Sequence, residues 1–295
     1  MARSKRHHYV PQFLLKNFLG SEKNAKIEIF DKRTGKYREQ AIREVAHECG
    51  YNHITIGDGT LNGENMSQVF DDLGSTALRP VIEQRSLGLP IKQDRHTISQ
   101  FIVYQLLRGP TAEANITEAH DKMLSLVQMM PDCEDKSEQL AEMNESDSHQ
   151  EHLIFSLTRC SKLAPHLLNK IWFLSETTLE KPFWISDCPV TMHRYGASSM
   201  PAGLGTPFTE VSMPLSSTLW LRILSPEILS ALVHNADWCR TIGRGVPIKS
   251  ALHNTEFQYE TQLRWANRFV YAKQFDRDLI DKLVSHDPSI LKSVE

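Results

Sequence analysis

The chain has 295 residues, 40% of them hydrophobic and 23% charged, which is the composition of an ordinary globular protein. Its formal net charge of -3 excludes a uniformly basic nucleic-acid coat, although a local basic patch is compatible with it. No run of about 18 apolar residues occurs, so we expect no membrane span. Five scattered cysteines favour a reduced, cytoplasmic protein.

The N-terminal segment carries two adjacent histidines, His7 and His8, after a short basic arm. Apolar residues then recur at helical spacing behind Pro11, so the pair should lie just before a short, ordered helix. In an extended segment neighbouring side chains point to opposite faces, so one histidine faces a site while the other packs. The positive N-terminal end of the helix would attract phosphate and keep an imidazole neutral, which suits a general base or a metal ligand. Alternatively, both rings hydrogen-bond to the backbone and only anchor the N-terminus.

The segments that follow change from a strand pattern to helical patterns. Residues 26–40 alternate apolar and polar side chains around Asp31–Gly35, which predicts a β-hairpin. Helices are predicted next, over residues 64–86 and 94–108 and onward to about 130. The acidic stretch at about 131–150 is poor in apolar residues, so we expect it to be an exposed connection.

The second half of the chain is richer in strand patterns. The predicted elements there are a helix at about 151–170, strands at 170–176, 182–187 and 217–224, a surface loop at 194–209, a helix at 254–268 and a strand at 269–272. The sum is one α+β domain over residues 1–295. Its middle is helical, a hairpin lies near the N-terminus, and a mixed or antiparallel sheet is formed largely by the second half.

The helix predicted over 94–108 carries two polar residues that are candidates for substrate binding. Gln105 falls on the apolar face, four residues after Phe101, and a buried amide must be hydrogen-bonded. Arg108 follows near the helix end and is expected to reach the same pocket, where its guanidinium suits a phosphate or a carboxylate. Alternatively, Arg108 binds the last carbonyls of its own helix.

An apolar strand pattern ends at Asp187, within the stretch FWISDCPV. Side chains at strand ends sit on a rigid support, so Asp187 is a candidate to bind a divalent metal or to orient a histidine. The alternative is an Asx turn that Pro189 fixes. A weaker candidate is the set of zinc ligands offered by His47–Cys49 with His53, whose spacing matches no standard zinc module.

Four segments carry a resemblance to one large bacterial family whose function is unknown. They are HHYVPQFLLKNF, the Gln105-x-x-Arg108-x-Pro110 segment, ISDCPV, and Asn254 with the later ANRFVYA. The family is marked by the N-terminal HHYVPQ-type signature, and the similarity covers nearly the whole chain. Family members usually have Asn where this chain has Cys188, which argues against a role for that thiol. The resemblance implies a bacterial origin and, for some relatives, a place among phage-defence genes, but it supplies no reaction.

The histidine pair is also loosely similar to the opening of the metal-finger nucleases of the His-Asn-His type. In those enzymes one histidine activates water and a metal holds the phosphate. Here Asn17 and His47 would have to complete the set, and their spacing is irregular. The similarity therefore suggests a reaction chemistry for the histidine pair, but it does not predict the same fold.

Together these features predict a phosphodiesterase, specifically a nuclease that acts in phage defence on nucleic acid or a nucleotide, with a divalent metal ion as cofactor. The predicted catalytic residues and metal ligands are His7, His8 and Asp187. The predicted substrate-binding residues are Arg108, Gln105, Gln12 and Asn254. The competing hypotheses are a non-catalytic sensor or interaction module, in which these residues form a buried structural network, and a nucleotide-binding protein. Exposed apolar strands in the second half would allow a homo-oligomer.

Overall fold

The computed structural model describes residues 6–19, 25–56, 59–88, 92–129, 148–196, 203–228, 245–249 and 252–291. Within these ranges the middle of the chain is helical, and strands occupy the N-terminal part and the second half. The predicted α+β class is therefore confirmed. None of the described helices is long and apolar enough to cross a membrane.

The N-terminal segment is held by strand pairing and by apolar contacts. Strand β1 (Arg6–His8) pairs antiparallel with β4 (His47–Cys49). Pro11 then precedes helix α1 (Gln12–Leu15), which continues as a 3-10 turn over Lys16–Phe18. The apolar residues of this segment are buried in the main core, as their helical spacing predicts.

The predicted hairpin is formed by β2 (Lys26–Asp31) and β3 (Lys36–Ala41). Gly35 adopts a φ of +66° in the turn, a conformation that favours glycine. The hairpin extends into a four-stranded sheet of order β3-β2-β13-β8, in which β8 is Ile185–Ser186 and β13 is Phe269–Ala272. A second short hairpin pairs β5 (His53–Ile56) with β6 (Gly59–Asn62).

The helical middle begins with α2 (Glu64–Gln84) and α3 (Lys92–Leu107), which pack closely where Gly74 faces Phe101. A Cβ atom at Gly74 would lie 2.3 Å from the Phe101 ring, so only glycine permits this approach. Chain direction then changes at Gly109, and Pro110 opens α4 (Pro110–Met129), where its missing N–H is harmless.

The next helix, α5 (Ser148–Leu163), is followed by the short α6 (Pro165–Leu168). The exposed connection predicted at about 131–150 lies mostly outside the described residues. Its last three residues belong to α5, which therefore begins earlier than the predicted residue 151.

A five-stranded sheet follows in the second half, with the order β12-β7-β11-β10-β9. Its strands are β7 (Ile171–Glu176), β9 (Thr191–Arg194), β10 (Thr209–Ser216), β11 (Leu219–Leu224) and β12 (Ile248–Lys249). The sheet is mixed, because β12 runs parallel to β7 while the other pairs are antiparallel. Strand β10 is almost wholly buried and was not predicted from the sequence.

Two helices, α7 (Leu252–Trp265) and α8 (Arg277–His286), contribute to a second apolar cluster beside the four-stranded sheet. Trp184 stacks on Tyr259 in this cluster, with ring centroids 4.0 Å apart. The main core lies between α1, α2, α3, α5 and the five-stranded sheet. The main core includes residues of both the N-terminal segment and the helical middle, and so it packs these two parts of the chain together.

Candidate metal centre

The predicted pair Gln105 and Arg108 does share one pocket, and the backbone of the N-terminal segment fills it. The carbonyl oxygen of Tyr9 accepts from Gln105 Nε2 at 2.6 Å and from Arg108 Nε at 2.9 Å. The buried Arg108 guanidinium also donates to Ser67 Oγ at 3.2 Å and lies 2.9 Å from Asp71 Oδ1. Both side chains therefore fasten the segment after β1 onto α3.

The two N-terminal histidines are unequal, as the alternation of a strand predicts. His7 is fully buried, and its Nδ1 accepts the backbone N–H of Asn52 at 2.9 Å. His8 is half-buried, with its Nε2 3.2 Å from Nε2 of Gln12. The inner ring thus positions the loop between β4 and β5.

Asp187 is buried at the end of β8 and accepts three backbone N–H groups. They come from Asn267 at 2.9 Å and from Arg268 and Phe269 at 2.8 Å each. Burial raises the pKa of Asp187 to about 6, against the opposing influence of these hydrogen bonds and of the nearby Lys32. Asp187 therefore fixes the start of β13.

Asn254, the remaining predicted substrate residue, lies in α7, and its side chain is outside the described residues. Among the described residues, the one group of three or more metal-ligating side chains contains neither of the N-terminal histidines nor Asp187. The metal ligands predicted from the sequence are thus not brought together as such a group.

That one group consists of Glu113 on α4 and of His149 and His152 on α5. One ligating atom from each of the three residues lies within 4.8 Å of the others. The two histidines are three positions apart and share a helix face, which α4 packs against. Sequence reasoning missed the group because His149 fell within the predicted connection. The spacing His-x-x-His was the signal that could have found it.

Each histidine of the group is oriented by a backbone carbonyl. Nε2 of His149 lies 2.7 Å from the Tyr51 oxygen, and Nε2 of His152 lies 2.6 Å from the Leu107 oxygen. A carbonyl oxygen only accepts, so Nε2 carries the hydrogen in both rings. Nδ1 is the nitrogen left for another partner. Metal-bound histidines are commonly held in this manner, with the second ring nitrogen donating to a carbonyl.

The two Nδ1 atoms have different surroundings. Nδ1 of His149 lies 2.7 Å from Oε1 of Glu113, whereas Nδ1 of His152 is buried without a hydrogen-bond partner in the described part of the chain. Because Nε2 of His149 is already protonated, its contact with Glu113 requires one shared proton, as in an imidazolium–carboxylate pair. Burial acts to raise the pKa of Glu113, but the hydrogen bond and charge of His149 hold it below its ordinary value.

Burial lowers the pKa of His152, so its ring is neutral at pH 7 and keeps the lone pair that a metal ion needs. A divalent ion could replace the proton shared between His149 and Glu113 and also occupy the lone pair of His152. The described residues thus offer two imidazole nitrogens and a carboxylate, a ligand set that suits zinc and several other divalent ions.

Tyr51 connects this group to the N-terminal segment. Its hydroxyl donates to the Arg108 carbonyl at 2.8 Å and lies 3.1 Å from Oε2 of Glu113. Its own carbonyl orients His149, while the next residue, Asn52, is fixed by His7. Two of the residues that the sequence singled out, His7 and Arg108, therefore bind the loop that orients His149.

Comparison with known families assigns the chain. The family model described as Protein of unknown function (DUF4238) matches residues 6–274. The chain belongs to the DUF4238 family. No curated protein and no solved structure matches it.

The metal-ligating group of this DUF4238 protein is open to solvent on one side. Glu113 and His149 keep 28% and 30% of their side-chain surface exposed, whereas His152 is fully buried. Three protein ligands at an accessible position leave room for water or a substrate, which is the arrangement of catalytic rather than structural zinc sites.

Proposed function

We propose that the protein is a metal-dependent hydrolase of phosphodiester bonds. Its ion is held by Nδ1 of His149, Nδ1 of His152 and the carboxylate of Glu113. The observation that carries this proposal is the orientation of the two rings: backbone carbonyls fix both Nε2 atoms, and Nδ1 of His152 is buried with no partner among the residues that the structure describes. An unpaired buried nitrogen is costly to the fold, and a bound ion would remove that cost.

Hydrolysis is supported by the ligand set and by its exposure. When bound, a divalent ion in a two-histidine, one-carboxylate site supplies activated water and neutralises developing charge on phosphate. Tyr51 holds Oε2 of Glu113 and, through its carbonyl, the ring of His149. It therefore keeps two of the three ligands in place for that chemistry.

The choice of phosphodiesters is supported by further imidazoles on the short N-terminal strands. His53 is exposed on β5, which contacts α5, and the half-buried His8 and His47 face each other across β1 and β4 with ring centroids 5.3 Å apart. Imidazole is the side chain that most often transfers protons in general acid–base catalysis. Nucleic acid or a nucleotide is thus the proposed substrate class. The proposed role in the phage defence of a bacterial cytoplasm follows from the family resemblance.

A second candidate function is the non-catalytic module. It is favoured by Arg108, Gln105 and Asp187, whose donors and acceptors are directed mainly at backbone groups. In that case the same polar residues serve only to hold the fold together, and the three ligating residues bind an ion for stability or for sensing.

The deciding experiment measures metal binding and hydrolysis on one set of variants. Chelator-treated protein is titrated with Zn²⁺ and Mn²⁺ by calorimetry, its metal content is measured by mass spectrometry, and cleavage of bis(p-nitrophenyl) phosphate, DNA and RNA is followed. We expect one ion per chain, lost in Glu113→Gln and His152→Ala, and retained in the control His286→Ala, which removes an exposed histidine of α8.

The outcomes separate the two candidate functions. Metal-dependent cleavage that disappears with Glu113→Gln supports the hydrolase. One bound ion without cleavage of any phosphodiester overturns the hydrolase and leaves the module. If the wild-type protein binds neither Zn²⁺ nor Mn²⁺, the proposed metal centre is wrong.

A further inference from the structure

A second site lies at one end of the five-stranded sheet, in a cleft of about 370 Å³. Three segments converge there: α6 with the residues that follow it, the loop before β10, and the residues after β11. The lining residues are Pro165, His166, Asn169, Lys170, Leu204, Gly205, Thr206, Pro207, Ser225, Pro226 and Glu227. None of them belongs to the metal-ligating group, so the cleft is a separate site.

Lys170 is the unusual residue of this cleft. It directly precedes β7 and is 8% exposed, yet its ammonium makes no hydrogen bond or ion pair within the described part of the chain. Buried lysines are almost always paired. Lys32 follows that rule, since its buried ammonium donates to the Ala266 carbonyl at 2.7 Å. Lys170 therefore presents to the cleft a positive charge that no described group contacts directly, although the Glu227 carboxylate interacts with it electrostatically.

The surroundings of Lys170 favour an anionic partner for its ammonium group. Burial lowers the pKa of Lys170, and the Glu227 carboxylate at the rim only partly opposes this effect. A bound anion would oppose it further, because an opposite charge nearby favours the ammonium form. The physical requirement at this position is thus an anionic group within reach of Nζ.

The walls of the cleft contain three prolines and carry further donors. Pro165, Pro207 and Pro226 each restrict the backbone of one of the three converging segments. His166 and Asn169 also line the cleft, and their side chains can donate hydrogen bonds. A preformed cleft of this kind loses little entropy when a ligand binds.

We propose that this cleft binds a phosphate monoester of a sugar, including a nucleoside monophosphate. The phosphate would lie against Lys170, His166 and Asn169, which match its three terminal oxygens. Glu227 at the rim would accept hydrogen bonds from the sugar hydroxyls in addition to the one from Ser225. The volume of the cleft suits a ligand of this size.

The test is calorimetric titration of the full-length protein with ribose 5-phosphate, ribose, inorganic phosphate and acetate. We expect saturable binding of ribose 5-phosphate, weaker binding of inorganic phosphate, and none of ribose. Lys170→Met keeps the apolar stem and should weaken binding about tenfold or more, since one charge-assisted contact is lost. The matched control is Lys162→Met, which removes an exposed lysine near the end of α5.

Each result decides the proposal. Loss of binding in Lys170→Met but not in Lys162→Met supports it, as does weaker sugar-phosphate binding in Glu227→Gln with unchanged binding of inorganic phosphate. Wild-type protein that binds no phosphate, or Lys170→Met that binds as tightly as wild type, overturns it. Acetate that competes equally with phosphate overturns the phosphate assignment.

If Lys170→Met does not fold, His166→Ala replaces it, with the same loss expected. Because none of these residues touches the metal centre, the result is independent of the hydrolase proposal.

Discussion

The N-terminal polar network and the metal-ligating group contain the same residue types, but their partners differ. In the network, Arg108 and Gln105 clamp the Tyr9 carbonyl, and Asp187 accepts three backbone N–H groups. In the metal-ligating group, backbone carbonyls satisfy only one nitrogen of each histidine ring, and Nδ1 of His152 has no hydrogen-bond partner among the described residues. The network binds backbone groups and so holds the fold, whereas in the second region a histidine with an unused nitrogen lies together with two other metal-ligating side chains.

The largest effect on stability is expected from the network. Asp187→Ala leaves three part-buried N–H groups, in the turn before β13 and at its first residue, without their acceptor, so the free energy of unfolding should fall by about 3–5 kcal/mol. Urea denaturation of the metal-free protein measures this loss. Unchanged stability would mean that water reaches this turn, and the contrast with the metal-ligating group would be lost.

The next effect concerns the metal-ligating group. Saturating Zn²⁺ should raise the stability of the wild-type protein by about 2.7 kcal/mol at a free concentration 100 times the dissociation constant. His152→Ala should abolish this increase, because it removes the buried lone pair, while Asp187→Asn, if folded, should keep it. Thermal melts with and without Zn²⁺ compare the two variants. If Zn²⁺ changes the melting temperature of both variants equally, the network and the metal-ligating group cannot be treated as separate regions.

Gln105 gives a smaller effect that tests the network more finely. Gln105→Ala leaves a gap and removes one donor to the Tyr9 carbonyl, so a loss of about 1–3 kcal/mol is expected. Gln105→Leu fills the space and also removes Oε1, which is buried without a hydrogen-bond partner in the described ranges, so it should cost less. If denaturation ranks the two variants in the opposite order, the amide has a role that packing does not explain.

The two N-terminal histidines give the next effect in size. His7 fixes the loop whose Tyr51 carbonyl orients His149, so His7→Ala should weaken Zn²⁺ binding about tenfold without removing a ligand. His8→Ala should leave the affinity unchanged. The visible spectrum of the Co²⁺ form should be the same in both variants and the wild type. A changed spectrum in His7→Ala would make His7 a ligand and not a support.

The smallest expected effect is a change of folding stability with pH in alkaline solution, which should involve Lys32 and not the metal-ligating group. Burial lowers the pKa of Lys32 to about 8 in the folded chain, against 10.5 for the ordinary side chain. Between these values the unfolded chain binds more protons, so stability should rise with pH in this window. Lys32→Met should remove that rise, as urea denaturation at several pH values would reveal. The Lys32→Met substitution should leave the Zn²⁺ affinity of the metal-ligating group unchanged.

Local patterns were enough to predict several elements. The Asp31–Gly35 turn between alternating segments predicted the first hairpin, because glycine there accepts a positive φ. The helical spacing after Pro11 predicted a buried N-terminal helix, and the three-residue spacing of Gln105 and Arg108 predicted that they reach one place. Each of these inferences depends on neighbours within one turn of helix or one hairpin.

Other features depend on contacts that no local pattern encodes. Strand β10 is buried on both faces, so its side chains do not alternate, and its pairing with β9 and β11 alone makes it a strand. The partners of Asp187 lie 80 to 82 residues further along the chain. Glu113 and His149 are 36 residues apart, and the carbonyl that orients His149 comes from a third segment. Amino-acid order fixes which groups can donate or accept, but packing decides which of them find a partner and which are left for a ligand.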